Sequence, residues 1–408
     1  MYLTKEEEKM LSGEYGEWIQ KSIKLLVAIG ELNKAERFVK IKRAHLSGVS
    51  YKTIGDPILE LLESIAGKGT KVKAFTTLNP AGIDTTNWKE FGFPKEFAEK
   101  QLRIINAFKK MGVNTTLTCT PYLTINKPEF GEPIAFSESS AVIYSNSIIG
   151  ARTNRHGNLD ALAAAIIGRV PEMGLILKEN RKATDLIKID FTPKTDEEFN
   201  LLGLYIGDKL ESNAVPALKF PKDIKFKEFY LRGLGAALAA SGGVPMFHVI
   251  GYTPEAKDCK KAFQGDQPQE ILQVTRNDLI DYKREIIDNF DKPDLIAIGC
   301  PHASLDEIKI IAELVKGKKV KSSVRFWVFT SKYMLEQAKK KGYYEVLDKA
   351  GVKIITDTCM VVAPLEAMDI KKIVSNSGKA VFYIPKLSKN IIRANIKELT
   401  EIIEKSME

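Results

Sequence analysis

Cysteine and histidine are scarce in this chain of 408 residues, which contains four of each. Four cysteines do not make the disulfide framework of a small secreted domain, so the chain fits a reducing compartment, where an important cysteine is catalytic or metal-binding. Long apolar runs are also absent: no stretch approaches the ~18 uninterrupted apolar residues of a membrane helix, and MYLTKEEEKMLSGEYGEW has no signal-peptide core. We therefore expect a cytoplasmic protein without a membrane segment.

Basic runs with interleaved aromatic residues are missing too, although the net charge is +9. The lysines are mixed with acids in helix-like segments such as MLEQAKKKGYYEVLDKA, so solvated helix faces explain most of the charge. We expect no nucleic-acid partner, because the chain carries no motif typical of one. A positive surface is compatible with an anionic small-molecule substrate.

Helix and strand patterns alternate along the chain, which predicts the α/β class. The length exceeds the ~250 to 300 residues at which single cores stop growing, so we expect two or three domains. The first ~65 residues have helical spacing, VKAFTTL and VNTTLTC predict strands, and a helix is predicted over 95–110. We expect an N-terminal α/β domain over 1–195, a less regular middle region over 196–290, and a C-terminal domain over 291–408.

The C-terminal region has the sharpest pattern. Strands are predicted at LIAIG, VRFWVF, VKIIT and AVFYI, with helices at DEIKIIAELV, KYMLEQAKKKG and LEAMDIKKIV and a terminal helix in NIIRANIKELTEIIEKSME. This order predicts a doubly wound parallel sheet of at least four strands. In the middle region, the small residues of GLGAALAASGG indicate either close helix packing or an anion-binding turn.

Three of the four cysteines follow predicted strands. In GCPHAS, Ser304 and Glu307 form a predicted capping box, which places Cys300 between a strand end and a helix N-terminus. Cys359 follows VKIIT and Cys119 follows VNTTLT in the same way. Ligands bind at the carboxyl edge of open parallel sheets, so the three thiols are expected to converge.

Two interpretations of these three cysteines remain open at this point. Free cysteines are often small buried hydrophobes without a chemical role. Three thiolates also suit an iron–sulfur cluster, or zinc with an open fourth position. Cys259 differs, because it stands in the charged stretch EAKDCKKAF and is expected to be a surface thiol.

Several segments resemble the large subunit of the aconitase X family, and the resemblance extends over essentially the whole chain. They are TCTPY (118–122), SESSAVIYSNSIIGARTNRHG (137–157), GCPHAS (299–304), DTC (357–359), AHLSGVSY (44–51) and LTKEEEKMLSGEYGE. The resemblance implies an aconitase-like multi-domain α/β architecture with doubly wound sheets. It also implies that Cys119, Cys300 and Cys359 hold an iron–sulfur cluster, expected to be 4Fe-4S with one iron free of protein ligand.

The activity implied by the resemblance is that of a hydro-lyase. Archaeal members dehydrate (R)-5-phosphomevalonate to trans-anhydromevalonate 5-phosphate in a modified mevalonate pathway. A hydroxyproline dehydratase-like activity is the alternative within the family, where some members carry a two-iron cluster. The alternative from another class is a zinc-stabilised binding subunit without catalysis.

A partner subunit is also implied. Aconitase-type enzymes close a small swivelling domain over the cluster, and that domain supplies a serine base. Because nothing in this sequence resembles it, we expect a separate small swivel-domain subunit in a heterodimer, and we expect this chain alone to be inactive.

Polar residues within the matching segments are the remaining candidates. His45, His302 and Glu138 are candidates for proton transfer, although His302 is equally suited to hydrogen bonding with a cluster sulfur, and Glu138 to an ion pair or a helix cap. The guanidinium group of arginine can bind a carboxylate or phosphate through two parallel hydrogen bonds. Threonines at strand ends and serines at helix caps can instead have a purely local structural role. The predicted substrate-binding residues are Ser47, Gly48, Thr76, Thr77, Asn79, Ser139, Ser140, Asn146, Ser147, Arg152 and Arg155.

Overall fold

Parallel sheets covered by helices organise the chain. A computed structural model describes residues 1–211, 213–222, 224–286, 290 and 292–408. Within these ranges the strands form parallel sheets of three, four and five strands and one antiparallel pair. None of the described helices combines the length and apolar character that crossing a bilayer requires. The predicted α/β class is confirmed.

The N-terminal unit is built around the three-stranded sheet. Its elements are α1 (Lys5–Ser12), α2 (Glu17–Leu32), β1 (Phe38–Lys40), β2 (Arg43–Leu46), α3 (Tyr51–Gly67), β3 (Phe75–Leu78), α4 (Lys95–Lys110), a 3₁₀ turn (Pro121–Leu123), β4 (Ala135–Phe136), α5 (Ser139–Tyr144), a π-helical turn (Ser145–Ile149), α6 (Asn158–Ile167) and β5 (Arg169–Pro171). The parallel strand order is β3-β2-β4, with His45 opposite Thr77 and Phe136. Strands β1 and β5 pair separately and antiparallel.

The middle unit is a four-stranded parallel sheet that the sequence patterns did not resolve. Two 3₁₀ turns (Gly174–Ile176, Glu179–Arg181) lead to β6 (Asp185–Ile189), α7 (Asp196–Lys209), β7 (Pro216–Lys219), α8 (Glu228–Ser241), β8 (His248–Val249), α9 (Cys259–Ala262), β9 (Glu270–Val274) and α10 (Arg276–Ile286). The strand order is β8-β7-β6-β9. A Cβ atom at Gly203 of α7 would collide with the carbonyl oxygen of Leu234 in α8. Of the two alternatives for the small-residue segment, this contact supports close helix packing.

The C-terminal unit is the predicted doubly wound sheet. Its elements are β10 (Leu295–Ile298), α11 (Leu305–Val315), β11 (Arg325–Thr330), α12 (Lys332–Lys340), α13 (Tyr343–Ala350), β12 (Lys353–Thr356), a 3₁₀ turn (Leu365–Met368), β13 (Lys372–Ser375), α14 (Gly378–Leu387), β14 (Arg393–Ile396) and α15 (Leu399–Ser406). All five strands are parallel, in the order β12-β11-β10-β13-β14. The order reverses at β10, which brings the ends of β10 and β13 side by side.

Three C-terminal element predictions were wrong. AVFYI lies in the helix α14, LEAMDIKKIV contains the strand β13, and the terminal segment contains β14 before its helix α15. Short apolar runs have the same appearance in a buried helix and in a parallel strand, so periodicity does not separate them. Ser377, whose side chain caps α14, is the local sequence signal that indicates a helix at this position.

The predicted strand VNTTLTC is also wrong. This segment runs beside β3 through hydrogen bonds from Asn114 N–H to Thr76 O (2.9 Å) and from Thr118 N–H to Leu78 O (3.0 Å), but only one isolated bridge forms. Leu117 has φ +47°, a left-handed conformation that interrupts regular strand geometry. The segment still delivers Cys119 to the end of β3.

The predicted domain boundaries stay predictions. The boundary at residue 195 falls after β6, although β6 pairs with β7 and β9 in the middle sheet. The second boundary, between residues 290 and 291, adjoins residues 287–289 and 291, which lie outside the described residues.

A buried ion pair joins the middle and C-terminal units. Arg232 of α8 contacts Glu307 of α11, and their side chains are 2% and 12% exposed. Arg232→Met should lower the free energy of unfolding by about 3 to 5 kcal/mol, because Glu307 would be left buried and unpaired. Urea denaturation of the two proteins measures the difference.

Arg103→Met is the matched control. Arg103 pairs with Glu63 at 2.7 Å on the surface, where the two side chains are 52% and 39% exposed. Because water screens such a pair, little change is expected. Equal losses in Arg232→Met and Arg103→Met would contradict the assigned role of the buried pair.

Candidate metal centre

Cys119, Cys300 and Cys359 are brought together: Cys119 ends the segment that runs beside β3, and Cys300 and Cys359 lie in the loops that follow β10 and β12. Each is at most 8% exposed. Burial raises the pKa of the Cys119 thiol well above its usual value, and the negative charges of Glu138, Cys359 and Cys300 raise it further. The three thiols therefore lie close enough to repel one another when ionised. Cys259 is exposed, as predicted.

The Cys300 loop ends in the capping box that the sequence predicted. The Ser304 side chain accepts from Glu307 N–H, and the Glu307 carboxylate accepts from Ser304 N–H at 2.8 Å. This fixes the start of α11 directly after the cysteine loop. Because Glu307 also pairs with Arg232, the loop is held from the middle unit as well.

His302 ties the three cysteine loops to one another. Its backbone N–H donates to Cys119 Sγ at 3.2 Å, and its ring lies between Thr118 Oγ1 (Nδ1, 3.0 Å) and the carbonyl oxygen of Thr358 (Nε2, 2.9 Å). Since a carbonyl only accepts, Nε2 carries the proton and Nδ1 accepts from Thr118. Burial lowers the pKa of His302 to about 4, so the ring is a neutral tie between loops. The predicted donor to sulfur is the backbone and not the ring.

Glu138 forms a buried ion pair with Lys379, a residue that the sequence analysis missed. The two side chains are 11% and 10% exposed. The Glu138 carboxylate also accepts from Asn79 Nδ2 at 2.7 Å and from Ser140 Oγ at 3.1 Å. Burial works to raise the pKa of Glu138, but the Lys379 ammonium outweighs it and lowers that pKa to about 2. Glu138 is therefore an ionised carboxylate.

The position of Lys379 had a signal in the sequence. Lys379 follows the helix cap Ser377, directly after β13 and before the apolar run 380–384. A lysine inside the first turn of a buried helix needs an anionic partner, since a lone buried ammonium is strongly unfavourable. The interpretation of AVFYI as a strand left this helix start, and with it Lys379, unrecognised.

His45 lies in β2 and is completely buried. Its Nδ1 is 2.8 Å from Thr77 Oγ1, while Nε2 has no hydrogen-bond partner among the described residues, nor does Asn79 Oδ1. Burial lowers the pKa of His45 to about 4, which keeps the imidazole neutral. Buried polar atoms without partners mark places where a bound molecule can supply the missing hydrogen bond.

The carboxyl edge of the N-terminal sheet gathers several other predicted residues. Ser139 Oγ lies 3.2 Å from Lys379 Nζ, and Ser47 N–H donates to Ser137 Oγ at 2.6 Å after β2. Gly48, next to Ser47, has φ +65°. Thr76 differs from this group, because its hydroxyl already donates to Ala74 O at 2.8 Å.

Asn146 and Ser147 are used by the protein itself. Asn146 Oδ1 accepts from Thr153 N–H at 3.0 Å, and Ser147 Oγ accepts from Phe247 N–H at 2.9 Å. Both residues are buried. These bonds position the segment after α5 against the middle unit.

The two predicted arginines contact backbone carbonyls. Arg152 Nη1 donates to Ile176 O at 3.1 Å, and Arg155 Nη1 lies 3.4 Å from Gly243 O. Arg155 is exposed, whereas Arg152 is partly buried. Substrate binding by these arginines stays a prediction.

The three thiols are compatible with the ligand set of an iron–sulfur cluster, whose cysteines do not share one ion. Within the described residues, no three His, Cys, Asp or Glu side chains are close enough to share one metal ion. A structural zinc needs its ligands around one point, whereas the cysteines of an iron–sulfur cluster bind different irons and stand farther apart. If the three thiols ionise as ligands, the irons of a cluster would offset the negative charges that burial otherwise disfavours.

Comparisons with known proteins cover nearly the whole chain. The family models described as aconitase X first, second and third domain match residues 1–179, 183–284 and 293–408. A crystal structure titled Thermococcus kodakaraensis aconitase X (holo-form) superposes with a TM-score of 0.91 at 41% identity and covers 100% of both chains.

Curated relatives of two names are similar over most of the chain. The phosphomevalonate dehydratase large subunit of Methanocaldococcus jannaschii is 45% identical over 98% of this chain and 99% of its own, and that of Thermococcus kodakarensis is 43% identical over 94% and 95%. The cis-3-hydroxy-L-proline dehydratase of Pseudomonas aeruginosa is 33% identical over 93% of this chain but 66% of its own.

Neutral burial of His45 predicts a pH dependence of stability. The unfolded chain binds a proton near its ordinary pKa of 6.5, and the folded chain only near 4. The free energy of unfolding should fall as the pH drops from 6.5 to 4, by roughly 3 kcal/mol from this residue. Urea denaturation across this range should show a flatter profile for His45→Gln than for the wild type. Parallel profiles would contradict the assignment.

Proposed function

The chain belongs to the aconitase X family, and on that premise we propose that it is the large subunit of a phosphomevalonate dehydratase. This hydro-lyase would remove water from (R)-5-phosphomevalonate to give trans-anhydromevalonate 5-phosphate. The observation that carries the proposal is the identity of 42% to 45% over at least 94% of the chain to four relatives of that name. Two relatives named for hydroxyproline are more distant than these four, at 33% and 30%.

Cys119, Cys300 and Cys359 would hold an iron–sulfur cluster of the 4Fe-4S type. Their mutual proximity, their burial and the sulfur-directed N–H of His302 support this assignment. When bound, the cluster supplies a Lewis acid that makes hydroxide a better leaving group. His302 would keep the ligand loops in register through its bonds to Thr118 and Thr358.

The buried polar groups of this chain are suited to binding and orientation. His45 Nε2 and Asn79 Oδ1 have unused hydrogen-bonding capacity: Nε2 would bind a carboxylate or hydroxyl oxygen of an anionic substrate, and Oδ1 would accept from a substrate hydroxyl. Ser139 and Ser140, at the start of α5, lie beside the Glu138–Lys379 pair and would contribute hydroxyl groups. Burial excludes water from this edge, which strengthens each of these interactions.

The same groups are poor bases for abstracting a carbon-bound proton. Efficient general bases have pKa values near the working pH. Burial lowers the pKa of His45 and of His302 to about 4, and the ion pair with Lys379 lowers that of Glu138 to about 2. These three residues are therefore not assigned as the base, and we assign that role to a serine of a small swivel-domain subunit, as the resemblance to aconitase-type enzymes implies.

Serine at any one of the three buried cysteines should remove iron and activity together. Each thiolate would bind its own iron, so the loss of one ligand destabilises the whole cluster. Iron content and the brown absorbance after anaerobic reconstitution provide the measurement. Cys259→Ser is the matched control and should retain both, because its side chain is exposed.

Two outcomes of that experiment would overturn the assignment. Loss of iron from Cys259→Ser alone would show that the ligands are elsewhere. A colourless protein that binds stoichiometric zinc would favour the non-catalytic binding subunit.

The large chain should dehydrate its substrate only with its partner. Relatives named as a large subunit imply a small one, and a third of the longer Pseudomonas relative has no counterpart here. We expect turnover of 5-phosphomevalonate by the reconstituted pair and at least about a 10²-fold lower rate without the small subunit, the lower end of the gain from a positioned acid or base. Cis-3-hydroxy-L-proline is the comparison substrate. Equal rates with and without the partner would exclude an external base.

A further inference from the structure

We propose that Lys379 is the charge partner of the bound cluster as well as of Glu138, and that it sets the reduction potential of the cluster and slows the loss of its iron. The inference rests on the proposed function only in requiring a cluster at the three cysteines. It concerns a residue outside the predicted ligand and substrate sets.

The fold places Lys379 at the cysteine loops. Strand β13 is the neighbour of β10 in the sheet, so the segment from Ser375 to Lys379 emerges beside the loop that carries Cys300. Ser377 and Cys300 line the same small cavity of about 20 Å³. Ser375 Oγ also contacts Met360 Sδ at 3.7 Å, next to Cys359.

The ammonium group lies between the two units that supply the cysteines. Lys379 Nζ pairs with Glu138 and lies 3.2 Å from Ser139 Oγ, both at the end of β4 in the N-terminal unit. Its backbone belongs to the C-terminal unit. With 10% of its side chain exposed, it is held in place and shielded from water.

The charges in this region explain why the ammonium is needed. The Lys379 ammonium offsets the charge of the Glu138 carboxylate that it contacts, and Ser377, which caps the helix of Lys379, lines the same cavity as Cys300. Three thiolates and one carboxylate in a medium of low dielectric constant require such compensation. Lys379 therefore acts on the whole ligand set and not on Glu138 alone.

The two members of the pair should shift the potential in opposite directions. Reduction adds an electron, so a nearby positive charge raises the reduction potential and a nearby negative charge lowers it. Lys379→Met should make the midpoint potential of the cluster more negative, and Glu138→Gln should make it more positive. A pair that only joins two segments would give shifts of the same sign or none.

The experiment is a redox titration of the anaerobically reconstituted two-subunit complex, followed by electron paramagnetic resonance. Iron release to a chelator is followed in parallel, and we expect it to be about tenfold faster in Lys379→Met, the factor that corresponds to ~1.4 kcal/mol. The control is Lys52→Met. Lys52 pairs with Glu366 at 2.7 Å, where the glutamate is 26% exposed and screened by water, so little shift is expected.

The outcomes separate this inference from the proposed function. If the wild-type complex binds no cluster, the proposed function fails. If it binds a cluster and Lys379→Met leaves the potential unchanged, or shifts it as Glu138→Gln does, only the role of Lys379 fails. If Lys379→Met does not fold, Lys379→Met is introduced into the Glu138→Gln protein, so that both charges are lost together. The midpoint potential of the double variant should then lie closer to the wild-type value than that of Glu138→Gln alone. Equal potentials in Glu138→Gln and the double variant would overturn the inference.

Discussion

The burial of three thiols beside an ionised carboxylate is the constraint on which the rest of the site depends. Once the thiols ionise as ligands, like charges in a medium of low dielectric constant repel strongly, so other contacts must hold their loops together. His302 supplies three such contacts. Its backbone N–H binds Cys119, and its ring binds Thr118, next to Cys119, and Thr358, next to Cys359. Lys379 supplies the opposite charge. Both residues are buried, and each contacts the segments that carry or adjoin the cysteines. The cysteine loops therefore have little freedom to separate.

The same constraint explains how the N-terminal and C-terminal units are joined. The segment that carries Cys359 is bound on its flank by the N-terminal unit: Asp84 Oδ2 accepts from the backbone and the hydroxyl of Thr356, both at 2.9 Å, and Ala81 N–H donates to Asp357 O at 2.7 Å. These bonds are buried, and unsatisfied partners there would each cost about 1 to 3 kcal/mol. The junction between the units and the support of the ligand loops are therefore one structure. A change that loosens the junction must also displace a cysteine.

The sequence predicted the parts of this site that have local signals. The capping box at Ser304 placed Cys300 correctly between strand and helix, and the α/β alternation gave the C-terminal sheet. Lys379 was missed because its helix has an apolar run that resembles a strand, and because its partner Glu138 is distant in the chain. The tautomer of His302 and the unpartnered Nε2 of His45 depend on tertiary contacts as well. Spacing along a chain carries no information about which charges meet across units.

A site fixed this firmly is well suited to holding ligands and poorly suited to opening for substrate. His45, His302 and Glu138 have pKa values of about 4 or lower, so these three residues provide orientation and electrostatics more readily than a base. Motion and proton abstraction are then best supplied by an element that is not part of the ligand framework. Segments that move belong to the least stable parts of a protein, whereas these loops are tied by buried bonds from two units. In the proposed enzyme, a rigid ligand-bearing chain and a separate closing subunit would each meet one of these two demands.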